Sequence, residues 1–133
     1  MLEWSWAEER LATARNYWIG TVNGDGSPAA APVWGVWIDG AVLFGTDPSS
    51  RKGRNLARDP RVVVHLESGD EVVILYGEIG REDLSPAAVD EYARKYDFRP
   101  ENTENWFALS PARAVAWLES DYPRTATRFD FGR

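Results

Sequence analysis

Phe44-Gly45-Thr46-Asp47-Pro48-Ser49-Ser50-Arg51-Lys52-Gly53-Arg54-Asn55-Leu56 joins the end of a strand, a turn and the start of a basic helix in thirteen residues. Val42-Leu43-Phe44 is bulky and apolar, as a strand requires, and Asp47-Pro48 interrupts it. Ser49 and Ser50 then stand where a helix N-cap is wanted. Residues 49–58 carry Arg51, Lys52, Arg54 and Arg58 and no acid, a local charge of +4 within a chain of net charge -6. A helix start presents free N–H groups and the positive end of the helix dipole, so hydroxyls and cations gathered there form a receptor for a phosphate. Charge alone also fits a second reading, in which these cations form an ordinary solvated helix face.

Thr46 followed by Ser50-Arg51-Lys52-Gly53-Arg54-Asn55-Leu56 resembles the T-x-x-x-S-R-K-x-x-x-L signature of the pyridoxamine 5'-phosphate oxidase-like split-barrel family. Tyr17 to Val22 with Asn23-Gly24-Asp25-Gly26-Ser27-Pro28 is similar to that family's opening hairpin, and Pro32 to Trp37 to its second strand. Asp59-Pro60-Arg61-Val62-Val63-Val64 resembles the strand after its phosphate helix, and the likeness runs from about residue 5 to residue 131. The resemblance implies a mainly β (α+β) fold: an antiparallel split β-barrel of six to seven strands with a few short helices, in one domain over 1–133. It further implies a homodimer with FMN or an 8-hydroxy-5-deazaflavin coenzyme at the subunit interface, exchanging hydride with a small organic substrate. Arg51 and Lys52 take the cofactor phosphate in this scheme, with Gly45, Thr46, Ser50 and Asn55 from the same loop and helix.

Gly35 interrupts the second strand where a side chain would normally help packing, which makes sense if something approaches its backbone closely. By the resemblance that something is the flavin ring, placing Val33, Trp34, Gly35 and Val36 beside the cofactor. A plain strand kink, with Trp34 and Trp37 filling opposite faces, is the alternative. Residues 29–38 hold no Lys or Arg, unlike the corresponding strand of pyridoxamine phosphate oxidases, which separates this chain from that strict activity. The closing segments Pro111 to Trp117 and Thr127-Arg128-Phe129 resemble strands from which an aromatic and an Arg of the neighbouring subunit reach the cofactor. The resemblance therefore adds Trp117 and Arg128, which could otherwise be a core tryptophan and a surface ion pair.

Composition narrows the remaining classes. At 133 residues a chain buries about two-thirds of its unfolded surface, enough for one core without staples. The absence of Cys excludes disulfides, thiol nucleophiles and Cys-based metal sites. His65 is the single histidine, too few for a zinc site or a serine-base-acid triad; it reads as a hydrogen-bonded strand residue or, by the resemblance to a family some of whose members bind haem, as an axial haem ligand. The one basic cluster of an acidic chain is phosphate-sized, so no nucleic-acid partner is expected. No apolar run approaches 18 residues and Met1 to Trp6 lacks a signal-peptide pattern, so no membrane partner and a cytoplasmic location are expected.

Local signals fill in the order. Ser5-Trp6-Ala7-Glu8 reads as a capping box opening a helix over about 6–14, with Leu11 in the core. Strands follow at about 16–22, 29–38 and 41–46, the last two joined at Asp39-Gly40, pairing as a meander. Further strands read at 61–67, 72–79, 112–119 and 125–131, with Ser85-Pro86 opening a helix to Tyr96. Val89, Tyr92, Ala93 and Tyr96 form the apolar stripe of that helix, while Asp90, Glu91, Arg94 and Lys95 read as its solvated face. Residues 97–105 are polar and irregular, as either a lid or a connection would be. No acid-base pair stands out for catalysis, so no catalytic residue is named; a flavin- or haem-binding protein without turnover is the alternative to an oxidoreductase.

Overall fold

Ten short strands and three helices make up the computed structural model, which describes residues 1–133. β1 (Tyr17–Val22) and β2 (Pro28–Val33) pair antiparallel, and the chain then bends at Trp34-Gly35 into β3 (Val36–Ile38). β3 pairs with β4 (Ala41–Phe44) through Asp39 and Gly40, whose φ values of 51° and 77° suit a two-residue hairpin. Helix α2 (Arg51–Arg58) leads to the hairpin of β5 (Arg61–His65) and β6 (Glu71–Glu78). β7 (Gly80–Glu82), α3 (Pro86–Tyr96), β8 (Trp106–Leu109), β9 (Arg113–Leu118) and β10 (Thr127–Asp130) complete the chain after α1 (Trp4–Thr13).

The strands form two sheets, β10-β9-β6-β5-β1-β2 and β3-β4-β8-β7. The expected single strand at 29–38 is thus two strands in different sheets, and the expected meander is two separate hairpins. Gly35 marks the crossing because a Cβ there would lie 2.6 Å from the carbonyl oxygen of Leu43. Close approach was the right reason for this glycine, but what approaches is the chain's own β4. The strand total exceeds six to seven through this split and through β7 and β8, which local patterns did not mark.

Burial explains the smaller sheet. Val42 and Phe44 of β4 point into the main core with Leu11, Tyr17, Ile19, Val64 and Leu75, while Ala41 and Leu43 point into a second core with Tyr92, Tyr96 and Trp106. A strand buried on both faces has no polar alternation, which is why β4 and β8 read as uniformly apolar. The α3 stripe therefore faces core. Helix α1 begins at Trp4 behind Glu3 with no side-chain cap, so the capping box at Ser5 does not form. Packing decides that boundary: the Trp4 ring meets Trp37, Phe129 and Phe131 at centroid distances of 6.0, 5.1 and 4.9 Å.

Candidate functional site

The turn before α2 is locked by its own short polar residues. Ser50 is the N-cap: its Oγ accepts from Gly53 N at 3.1 Å and donates to the Asp47 carbonyl at 2.7 Å, with Thr46 Oγ1 3.3 Å away. Asp47 accepts from the Ser49 backbone N–H and hydroxyl, which holds its carboxyl below the usual carboxylate range. A Cβ on Gly53 would lie 2.4 Å from the Asp47 carbonyl oxygen, so only glycine lets the turn close on the helix.

Four cations leave this helix in two ways. Arg58 donates to the Val22 carbonyl at 2.9 Å and to Asn55 Oδ1 at 2.8 Å. Asn55, 3% exposed, donates from Nδ2 to Thr21 Oγ1 at 3.0 Å and to Asn23 Oδ1 at 2.9 Å. Both of its amide donors and its oxygen serve the protein, so Asn55 fastens α2 to the β1–β2 hairpin and has no donor left for a ligand. Arg51 and Lys52, by contrast, make no hydrogen bond or ion pair. They border a cleft of about 120 Å³ whose other lining residues are Ile19, Thr21, Ala29, Ala30 and Ala31. Small side chains on β2 leave room there, and two free cations beside a capped helix start supply the donors a phosphate needs. The residues present thus fit the phosphate of the expected cofactor.

The bend at 33–36 fits less directly. Val33 and Val36 are buried, at 7% and 0% exposure, so their side chains face the two cores. Both backbone groups of Gly35 are taken: its N–H donates to Tyr96 Oη at 2.8 Å, and its carbonyl accepts from Lys95 Nζ at 2.8 Å. Trp34 is 41% exposed and stacks flat on Tyr96 at 4.4 Å, with the Arg15 guanidinium 5.1 Å from its ring. Gly45 and Thr46 border another cleft, of about 390 Å³, walled by Trp106, Asn102, Asn105 and Arg81. The segment 97–105 forms part of that wall: Leu84 N–H donates to Thr103, Asn105 N–H to Asp83, and Trp106 Nε1 to Asn102.

A family model described as pyridoxamine 5'-phosphate oxidase matches residues 7–118. This chain belongs to that family. A pyridoxine/pyridoxamine 5'-phosphate oxidase of Acidothermus cellulolyticus is 29% identical over 121 residues, covering 84% of this chain and 50% of its own length, so the chain spans about half of this curated relative. Among solved structures, a conserved hypothetical protein of Mycobacterium tuberculosis aligns with TM-score 0.73 at 23% identity, covering 89% of this chain and 86% of the other. A heme binding protein from Mycobacterium smegmatis aligns at 0.72 and 20% identity, covering 98% and 59%. An F420 reductase aligns at 0.55 and 22% identity, covering 75% and 87%. These likenesses establish the split-barrel fold.

Within one chain of this pyridoxamine 5'-phosphate oxidase family member, Trp117 and Arg128 do not meet α2. Helix α2 packs on β1 and β2 at one edge of the larger sheet, while β9 and β10 form the other edge. Counted along the sheet, β10 is five strand spacings from β2, a path of about 24 Å at about 4.8 Å per strand. Trp117 Nε1 donates to Glu119 at 2.9 Å and Arg128 pairs with Asp130 at 3.1 Å. His65 sits in β5 with Nδ1 2.8 Å from the Leu66 carbonyl and its ring parallel to Trp18 at 6.3 Å.

Lys95 is not on the solvated face that the helix pattern suggests. Its Nζ reaches Tyr17 Oη at 2.9 Å as well as Gly35, and burial pushes its ammonium down to about 8. Nothing local to α3 announces the role, because the groups it meets lie 60 and 78 residues away. The alanine floor at 29–31 has only one signal in the sequence, three small residues in succession on a strand.

Proposed function

We propose that this chain binds FMN or an 8-hydroxy-5-deazaflavin coenzyme with its phosphate at Arg51 and Lys52, and exchanges hydride with a small organic substrate. The observation that carries the proposal is the pair of unpartnered cations at a capped helix start over a floor of alanines. Ser50 shapes the turn, Gly53 permits it, and Asn55 and Arg58 hold it rigid against β1 and β2. When bound, the ring supplies the hydride chemistry, so the protein's task is to hold, orient and shield it. Trp34, exposed and already stacked on Tyr96, offers a flat apolar surface to a ring, and Thr46 a hydroxyl near the phosphate.

The functional unit in this proposal is a homodimer. A second copy would bring Trp117 and Arg128 to the α2 side of the first, which one chain alone does not do. The absence of a carboxylate, histidine or tyrosine from the cleft lining favours a second reading equally, that of a cofactor carrier without turnover.

Paired titrations with FMN and the deazaflavin coenzyme, read by tryptophan fluorescence, test the binding. Saturable binding of one or both is expected, with sedimentation reporting a dimer. Binding of neither overturns the proposal. Reduction of the loaded protein followed by a panel of acceptors then separates the two readings: rapid reoxidation by an organic acceptor marks a reductase, and none marks a carrier.

A further inference from the structure

The cleft of about 390 Å³ beside β7 and β8 is held open by its own walls. Strand pairing sets Arg81 of β7 opposite Phe107 of β8, and the guanidinium lies 3.8 Å from the centroid of that ring. Arg81 Nη1 donates to the Asn105 carbonyl at 2.6 Å, which leaves Nε and Nη2 without a partner. Those two groups form the edge of the guanidinium fork that meets both oxygens of a carboxylate. Across the cleft, Glu104 N–H donates to Asn102 Oδ1 at 3.0 Å, fixing the turn, while the Glu104 carboxylate bonds nothing. Arg81 and Glu104 are the charged residues of the lining, so it carries no net charge.

A neutral lining of this kind suits a monoanion better than a phosphate monoester, whose second charge Glu104 would repel. The apolar part of the wall is aromatic, Trp106 and Phe107, and favours a flat ligand. Gly45 keeps the Trp106 ring clear, since a Cβ there would lie 3.4 Å from it. We propose that this cleft seats the organic substrate, a planar monocarboxylate. Its acid group lies on the Nε–Nη2 edge of Arg81, its flat body against Trp106, and its far end gives a hydroxyl or amine hydrogen to Glu104. Gly45 and Thr46 join the cleft to the α2 turn, where Thr46 Oγ1 is 3.3 Å from the Oγ of the Ser50 cap, so the ligand sits beside the phosphate place at Arg51 and Lys52. Its role as substrate rests on the proposed function; its binding does not.

Calorimetric titrations with benzoate, 3- and 4-hydroxybenzoate, 4-hydroxybenzyl alcohol and phenyl phosphate, each with and without FMN, test the site. The parent should bind at least one hydroxybenzoate saturably, and more tightly than benzoate, the alcohol or phenyl phosphate. Arg81→Gln should weaken the carboxylates about tenfold or more, the loss of a charge-assisted pair, and leave the alcohol within twofold. Because Arg81 also holds the Asn105 carbonyl, melting curves accompany that variant, and Glu104→Ala, whose side chain bonds nothing, gives an independent reading. In Glu104→Ala the preference for hydroxybenzoate over benzoate should vanish and phenyl phosphate should gain. No saturable carboxylate binding by the parent under either condition, equal loss of acids and alcohol in a folded Arg81→Gln, or a hydroxybenzoate preference unchanged by Glu104→Ala overturns the assignment. Hydroxybenzoate binding that needs both residues, in a parent that takes neither FMN nor the deazaflavin coenzyme, would sink the cofactor reading while this site stands.

Discussion

The start of α2 and the end of α3 both bring cations to backbone, with opposite results. At α3, Lys95 is held by Tyr17 Oη and the Gly35 carbonyl, and Arg15 lies over the Trp34 and Tyr96 rings. At α2, Arg51, Lys52 and Arg54 reach solvent with no partner, while Arg58 two turns on behaves like Lys95. Both regions carry cations in the sequence, α2 without acids and α3 among them. What distinguishes them is whether the chain already satisfies its own cations, and only the unsatisfied set is available to a ligand.

The sharpest way to break this contrast is Arg51→Ala with Lys52→Ala. Each charge-assisted bond contributes roughly 1.5–3 kcal/mol, so the double variant should lose at least a hundredfold in cofactor affinity. Its melting temperature should stay near the parent's, because surface changes without partners fall within about 0.5 kcal/mol. A variant that unfolds, or that binds as tightly as the parent, would place these residues with Lys95 instead.

Asn55→Ala should do the reverse. Removing a buried amide leaves Thr21, Asn23 and Arg58 short of partners, a stability loss on the order of 2–3 kcal/mol readable by urea unfolding. Gly35→Ala belongs to the same class: crowding the Leu43 carbonyl should cost about 1–3 kcal/mol.

Lys95 sharpens the comparison through pH. Burial moves its ammonium from 10.5 to about 8, so between those values the folded protein binds fewer protons than the unfolded chain. Stability contributed by this group therefore rises with pH across that window, and below it the desolvation penalty is felt in full. Relative to Lys95→Met, the parent should gain urea resistance between pH 7.5 and 10; a constant difference would show that Lys95 is solvated like Arg51. Arg128→Ala should have the smallest effect on the monomer, under about 0.5 kcal/mol, since its ion pair is exposed. A drop in cofactor affinity greater than threefold in that variant would indicate that a second subunit lends it to the site.

The legibility of the sequence follows the same division between local and distant partners. The α2 turn is readable because Thr46, Asp47, Ser50 and Gly53 satisfy each other within eight residues. Ser85 likewise caps α3 through Ala88 N–H at 3.1 Å. Ser5 failed as a cap because Trp4 is drawn into the helix by Phe129 and Phe131 from the far end of the chain. The break at Gly35, the burial of Lys95 and the strand at 106–109 all depend on contacts between distant segments, and no window around any of them carries that information. Asn55 shows the limit most plainly: the resemblance puts it at the site, but its side chain turns inward to carry the hairpin.

One feature of β2 bears on how copies of this protein can meet. The bond from Asn23 N–H to the Ser27 carbonyl sets the hairpin so that residues 29, 31 and 33 face β1, leaving 28, 30 and 32 on the open edge. Two of those three are Pro28 and Pro32, so Ala30 alone can donate a backbone N–H outward. An edge left with a single donor is a poor template for another strand, which guards the protein against runaway edge-to-edge aggregation. Association at this end of the sheet is then better made through side chains, leaving the alanine floor uncovered by a borrowed strand.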